Sequence, residues 1–137
     1  MNMFDFEREI FTTAANAVLA TYSTCRILNA FIYAPDKFPC VSIVMSDDGT
    51  NTRMRDSSGN DNFRDITITV DVFSNKTDGK KTEAEAIMQI IIDTLFPLNF
   101  NMVSCKPASN NNNASYYKLT ATFIATVDGN GTIYTRK

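Results

Sequence analysis

Acidic and basic side chains at two places in this sequence could be taken for catalytic patterns. Pro35-Asp36, followed by Asp78-Gly79-Lys80, has the order of the proline-aspartate and acid-x-lysine pattern of metal-dependent nucleases. That chemistry needs the second acid and the lysine on one strand, so that the acids converge on a single Mg²⁺. Because Asp78-Gly79-Lys80 falls in a polar turn before a predicted helix, we do not interpret the pattern as an active site.

The second place is Asp47-Asp48, beside Gly49. Two acids beside a glycine lack the ligand periodicity of a calcium loop, so we interpret them as part of a solvated loop. The sequence contains no His, which removes the commonest general base and the His-containing zinc sites. It also lacks a phosphate-binding glycine loop and a G-x-S-x-G motif. We therefore expect no enzyme, no catalytic residue, no metal site and no cofactor.

The overall composition predicts one soluble globular domain spanning residues 1–137. The chain is 44% hydrophobic and carries a formal charge of −2, which argues against a protein whose main role is to neutralise nucleic-acid phosphates. Cys25, Cys40 and Cys105 are an odd number without C-x-x-C spacing, so we expect buried or half-buried thiols. No apolar run approaches the roughly 20 residues that a membrane helix needs.

The hydrophobic spacing predicts a helix over the first 23 residues and strands after Cys25. The helical stripe consists of Phe6, Ile10, Ala14 and Ala17, and residues 27–33 and 38–45 look like two strands. Residues 46–62 are the most polar part of the chain. Two interpretations remain open for them: a recognition arm, either an extended hairpin or a segment that orders on contact, and a long solvated loop.

Residues 65–73 alternate between apolar and polar side chains, which is typical of a strand with one buried face. Thr82 is the predicted N-cap of a second helix, with Glu85 completing a capping box, and Phe96-Pro97 ends the helix. Three further strands follow, around 100–105, 117–127 and 132–135. The predicted fold is α+β, a mostly antiparallel sheet packed by two helices, in the order α-β-β-loop-β-α-β-β-β.

Five short segments carry a family resemblance. The sequence resembles the tail terminator, or tail-completion, proteins of long-tailed bacteriophages over essentially its whole length and in element order. The segments that carry the resemblance are Val70-Asp71-Val72-Phe73-Ser74-Asn75-Lys76, Gly79-Lys80-Lys81-x-Glu83-Ala84, Ile87-Met88-x5-Thr94, Phe38-Pro39-Cys40-Val41-Ser42-Ile43-Val44, and Asp128-Gly129-Asn130-Gly131-Thr132-Ile133-Tyr134.

The resemblance implies a structural virion protein of the tail or neck, assembled in the host cytoplasm. Such a subunit forms a six-membered homo-oligomeric ring that caps the tail tube, ends tube polymerisation and joins the tail to the head connector. Its partners would be the tail tube protein and a head-completion protein, with the genome passing through the lumen and no sequence-specific nucleic-acid or membrane binding. Another neck or head-tail joining protein, or a monomeric binding or accessory domain, is the alternative.

A closed ring needs two different complementary patches on each subunit. The first helix, which carries more aromatic and aliphatic surface than a small domain needs to hide, and the Thr-rich strand faces are candidates. The polar arm would supply charge complementarity and register. The interface candidates are Phe6, Ile10, Phe11, Asp47, Asp48, Arg53, Arg55, Asp56, Lys80 and Lys81.

Overall fold

The computed structural model describes residues 3–30, 37–50, 63–76, 78–107, 116–128 and 133–134. Helix α1 spans Met3–Leu19 and helix α2 spans Lys80–Leu95, followed by a 3-10 turn at Phe96–Leu98. The six strands are β1 (Arg26–Leu28), β2 (Cys40–Thr50), β3 (Phe63–Ser74), β4 (Asn101–Pro107), β5 (Tyr117–Asp128) and β6 (Ile133–Tyr134). This order and the α+β class confirm the prediction.

The strands form one mixed sheet in the order β1-β2-β3-β5-β4. β1 and β2 are parallel, whereas all the other pairs are antiparallel. β3 pairs with one edge of β5 along its whole length, from Phe63 opposite Asp128 to Ser74 opposite Tyr117. β4 and the short β6 follow one another along the other edge of β5. The long central strands therefore have both edges paired.

Both helices pack on the same face of this sheet. Alternate residues of β3 and β5 turn their side chains toward the helices, and Ile66, Val70 and Phe123 are fully buried there. Phe6, Ile10, Ala14 and Val18 of α1 and Ala84, Ile87, Met88, Ile91 and Leu95 of α2 complete the core. The observed spacing of these residues is the i, i+3, i+4 pattern that buries one side of a helix.

The opposite face of the sheet is polar at its centre and covered at one end. The hydroxyl of Thr120 donates to the carboxylate of Asp71 at 2.7 Å, and that of Thr126 donates to Asp65 at 2.8 Å. Phe73 is fully buried on this face, where its ring meets Tyr116 at a centroid distance of 5.6 Å. The Thr120 hydroxyl therefore gives the buried carboxylate of Asp71 a hydrogen-bond partner.

Two local predictions were wrong. The capping box at Thr82 and Glu85 does not form, because α2 begins at Lys80 and its N-cap is Gly79, three residues before Thr82. Gly79 occupies the N-cap with φ +93°, in the left-handed region that glycine adopts without steric cost, and no side chain caps the helix. Cys25 and Cys40 are buried as expected, but Cys105 is exposed because it lies on β4, at the sheet edge.

The first five residues of the polar segment, 46–50, belong to a strand. β2 continues to Thr50 in antiparallel register with β3, with Thr50 opposite Arg64. The pairing of β2 with β3 continues through the polar residues after one bulge between Met45 and Asp47. It can do so because backbone N–H and C=O groups form the pairing hydrogen bonds whatever the side chain is. The described part of the segment is therefore the end of β2, paired with β3. Residues 51–62 lie outside the described residues.

Candidate functional site

The apolar candidates of α1 lie in the domain's own core. Phe6 is 3% exposed and Ile10 is 6% exposed, so their side chains have almost no surface left for another molecule. Phe11 is half-buried and packs against the same core. These side chains are used to hold α1 on the sheet, and Phe11 alone of the three keeps accessible area.

Only two of the five charged candidates of the polar segment lie within the described residues. Asp47 and Asp48 belong to β2, where they pair with Thr67 and Ile66 of β3. Arg53, Arg55 and Asp56 lie outside the described residues. The hairpin base is thus fixed by strand pairing, at the end of the sheet where β3 begins.

The basic candidates Lys80 and Lys81 form the first turn of α2. Cations are disfavoured at a helix N-terminus because they oppose the helix dipole. Glu83 is the only acid in this turn, and its carboxylate accepts a 2.7 Å hydrogen bond from the hydroxyl of the buried Ser74. This bond joins the end of β3 to the start of α2. Lys81 is exposed and lies beside a groove described below.

The two sides of the sheet end differently. Beyond the three residues paired with β1, the free side of β2 is capped by side chains from outside the sheet. The backbone N–H of Met45 donates to Glu7 at 2.8 Å. With the Asn29 amide oriented to donate, its nitrogen lies 2.8 Å from the Ile43 carbonyl oxygen and 3.0 Å from Glu7. Such capping prevents this edge from pairing with another strand.

The other side of the sheet ends at β4, which among the described residues pairs only with β5. The register shifts between Met102 and Ser104, so Val103 has no partner on β5 and its side chain is 60% exposed. Met102 is 38% exposed and Phe96, just after α2, is 48% exposed. We call Phe96, Met102 and Val103 the edge patch. An unpaired strand with exposed apolar side chains is a template for association with another chain.

A groove of about 330 Å³ runs between α2 and the end of β4. Its apolar wall consists of Met88, Ile92, Pro107, Tyr117 and Leu119. Its rim carries Lys81 and Glu85, one turn apart on α2, together with the thiol of Cys105. Partial burial, and then the charge of Glu85, raise the pKa of this thiol. The groove therefore offers apolar contact flanked by one charge of each sign.

Sequence reasoning missed both the edge patch and the groove. The β-bulge that turns Val103 outward leaves no signal in the sequence. Glu85 and Lys81 were noticed as helix residues, but only the pairing of β4 with β5 brings Cys105 and Pro107 opposite them.

Three side chains of the metal-binding types do not converge anywhere among the residues that the structure describes. In the same part of the chain, neither helix has the length and apolar character needed to cross a membrane.

Together, the fold and these surfaces define a two-layer α+β domain with one sheet edge capped by side chains and, within the described ranges, one unpaired edge at β4. No protein-family model matches the chain. A search of curated proteins also returns no match.

Proposed function

We propose that this protein is a structural subunit of a ring, six-membered in its closed form, that caps a phage tail tube. The ring ends polymerisation of the tube and presents its other surface to the head-side connector. The subunit acts by occupying a position in the virion neck, and its surfaces bind protein and not substrate. Its partners are copies of itself, the tail tube protein and the head-completion protein.

The open β4 edge with its exposed apolar patch is the observation that carries this proposal. A ring is built from heterologous contacts, in which one patch of each copy meets a different patch of the next. The sheet supports such polarity because β4 is open, whereas the free part of β2 is capped by Glu7 and Asn29. The resemblance adds support, since its segments from Val70 to Lys76 and from Gly79 to Ala84 form the β3 end, turn and α2 start.

The test uses two variants of matched exposure. Met102 in the edge patch and Leu19 at the end of α1 are both 38% exposed, so replacing either by Asp removes the same kind of surface. We expect negative-stain images of the wild type and of Leu19→Asp to show rings with a central opening. Met102→Asp should remain monomeric by light scattering, with an unchanged unfolding temperature.

Assembly should also be measured in the presence of tail tubes, across protein and salt concentrations. In infected cells, a phage lacking this protein should make tails of uncontrolled length, and the wild-type protein should restore them. A chain that stays monomeric both alone and with tubes would contradict the proposal and favour a monomeric binding domain that uses the groove.

A further inference from the structure

The lysines of this chain gather at one end of the fold, where β3 and β4 finish and where β2, β5 and α2 begin. We call this the lysine end. Its members are Lys37, Lys76, Lys80, Lys81, Lys106 and Lys118, and the remaining lysine, Lys137, lies outside the described residues. The formal charge of −2 for the whole chain conceals this concentration of positive charge.

Strand register brings three of these lysines to one end of the sheet. Lys106 is level with Thr120, two residues along β5 from Lys118. The two lysines are therefore diagonal neighbours on the face opposite the helices, with Cα atoms roughly 8 Å apart. Lys118 lies over the ring of Phe73, 5.5 Å from its centroid. Lys37 comes just before β2, whose first residue is level with Phe73.

Hydrogen bonds bring the other three lysines to the same end. The backbone N–H of Lys76 donates to the hydroxyl of Ser74 at 3.4 Å, and this hydroxyl donates to Glu83 of α2 at 2.7 Å. Lys76 is therefore held beside the first turn of α2, which carries Lys80 and Lys81.

The acids at this end offset only part of the positive charge. Asp71 is 6% exposed and accepts a hydrogen bond from a threonine, and Glu83 accepts one from a serine. The exposed acids that the structure describes here are Asp78 and Glu85. The exposed lysines are Lys37, Lys76, Lys81 and Lys106. The accessible surface of the lysine end is therefore positive.

The opposite end of the sheet has the opposite sign. Asp47 and Asp48 of β2 pair with the first half of β3, which itself carries Asp65 beside Arg64. An unequal distribution of charge orients a protein in the field of a charged partner. A polyanion is attracted to the lysine end and repelled by the other end.

The residue type indicates which kind of polyanion fits. Lysine is depleted in protein–protein interfaces, where arginine is enriched, and its ammonium group is compact and strongly hydrated. A phosphate backbone needs only such point charges near the solvent. From Lys37 to Lys106 the lysine end crosses β2, β3, β5 and β4, three strand spacings or roughly 14 Å. This width is comparable with the major groove of DNA, about 12 Å between phosphate backbones.

We propose that the lysine end binds the phosphate backbone of double-stranded DNA without sequence preference. The inference rests on the proposed ring function for its biological setting, and it names the end of each subunit that faces the genome in the neck. The binding itself is a property of the single subunit, so its test does not need a ring.

Fluorescence anisotropy with a short labelled DNA duplex measures the binding across a series of salt concentrations. We expect a dissociation constant of roughly 10⁻⁴ to 10⁻⁶ M at physiological salt. The logarithm of the association constant should fall with the logarithm of salt concentration with a slope of about −3 to −4, as four lysine–phosphate contacts require. A second duplex of unrelated sequence should bind equally well.

Charge reversal locates the surface. Lys81→Glu on α2 and Lys106→Glu on β4 should each raise the dissociation constant by about threefold to tenfold and reduce the salt slope by about 1. Arg8→Glu makes the same charge change on an exposed residue near the start of α1, and it should change the dissociation constant by less than about twofold. Equal unfolding temperatures of the three variants show that the fold is intact.

Removal of an acid provides a gain of binding, which a misfolded variant cannot produce. Glu85→Gln takes an exposed negative charge from the lysine end and should lower the dissociation constant by about threefold. Glu9→Gln makes the identical change on the exposed side of α1 and should leave DNA binding unchanged.

The outcomes separate this inference from the proposed function. DNA binding with the expected variant effects supports the inference, and in a chain that never forms rings it does so while contradicting the ring. Rings in negative stain without DNA binding overturn the inference and leave the ring standing. Poly-glutamate that binds as tightly as the duplex overturns it in favour of an acidic protein surface. Equal losses in Lys81→Glu and Arg8→Glu also overturn it, because the binding would then depend on net charge alone.

Discussion

The backbone N–H of Met45 donates a 2.8 Å hydrogen bond to the carboxylate of Glu7, which joins α1 to the free edge of β2. The two residues are 38 positions apart in sequence, and their contact does two things. It satisfies a backbone donor that no strand pairs, and it places a charged side chain where another chain would add. One bond therefore contributes both to stability and to the closure of an edge.

Removal of the Glu7 carboxylate should cost stability and expose the edge. We expect Glu7→Ala to lower the free energy of unfolding by about 1–2 kcal/mol, because a partly buried N–H loses its charged acceptor. Chemical denaturation measures this loss, and light scattering should show additional concentration-dependent association. Glu9→Ala, on the exposed side of the same helix, should change neither quantity. Equal effects of the two variants would contradict the capping role.

The Ser74–Glu83 hydrogen bond should contribute more than an exposed bond in the same helix. A double-mutant cycle of Ser74→Ala and Glu83→Ala is expected to give a coupling energy of about 1 kcal/mol, since Ser74 is fully buried and the acceptor is a carboxylate. The same cycle for the exposed Gln89–Asp93 pair, 2.8 Å apart, should give about 0.3 kcal/mol. A coupling for the first pair no larger than for the second would refute this expectation.

Gly79 should be sensitive to substitution for a backbone reason. Its φ of +93° is unfavourable for residues with a Cβ, although an added Cβ would meet nothing closer than the Thr82 Cβ at 3.9 Å. We expect Gly79→Ala to lower the free energy of unfolding by about 1 kcal/mol. Gly79→Asn should lose less, because Asn tolerates left-handed backbone and can cap the helix. A larger loss for Asn than for Ala would indicate that space, and not conformation, is limiting.

Cys25 should make the protein less stable in alkali. Burial, and then the nearby Cys40 and Glu83, raise the pKa of its thiol from 9.0 to about 12. The unfolded chain loses this proton first, so the contribution of Cys25 is fully present below pH 9 and is lost as the pH rises toward about 12. Cys25→Ala should flatten the decline of unfolding free energy above pH 9. Val44→Ala, which removes methyl groups and no proton, should shift the curve without changing its slope.

Glu85 should slow the chemistry of Cys105. The pKa of this thiol is raised first by partial burial and then by the Glu85 charge. In Glu85→Gln the pKa should fall, so more thiolate is present at neutral pH and iodoacetamide should react faster. Asp93→Asn, further along α2, should leave the alkylation rate of Cys105 unchanged. Mass spectrometry of the labelled peptide reports the rate, and no difference between the two variants would contradict the assignment.

Alternation and helical spacing were sufficient to predict the fold class, because burial of one face leaves a regular sequence pattern. The β3 residues Ile66, Ile68 and Val70 are buried as their period of two indicates. The predicted strand at 117–127 and the helix ending at Phe96 are likewise confirmed. These elements owe their position to hydrophobic side chains that the sequence displays directly.

Features set by backbone conformation and by pairing between distant strands could not be predicted from the sequence. The α2 start depends on the left-handed Gly79, which prevailed over the capping pattern at Thr82. The parallel pairing of β1 and β2, and the bulge beside Val103, depend on register with distant strands. The groove could not be predicted for the same reason, because its two walls come from elements that only the tertiary fold brings together.

The unequal edges of the sheet have a consequence for growth. Among the described residues, β4 is unpaired on its outer side and could receive a strand, whereas the β1 side presents only three residues of strand, with Glu7 and Asn29 beyond them. Addition at the open edge therefore cannot be repeated indefinitely strand after strand, as it is in an amyloid fibril. The sheet is self-limiting in this direction, so the polypeptide carries its own protection against strand-by-strand aggregation.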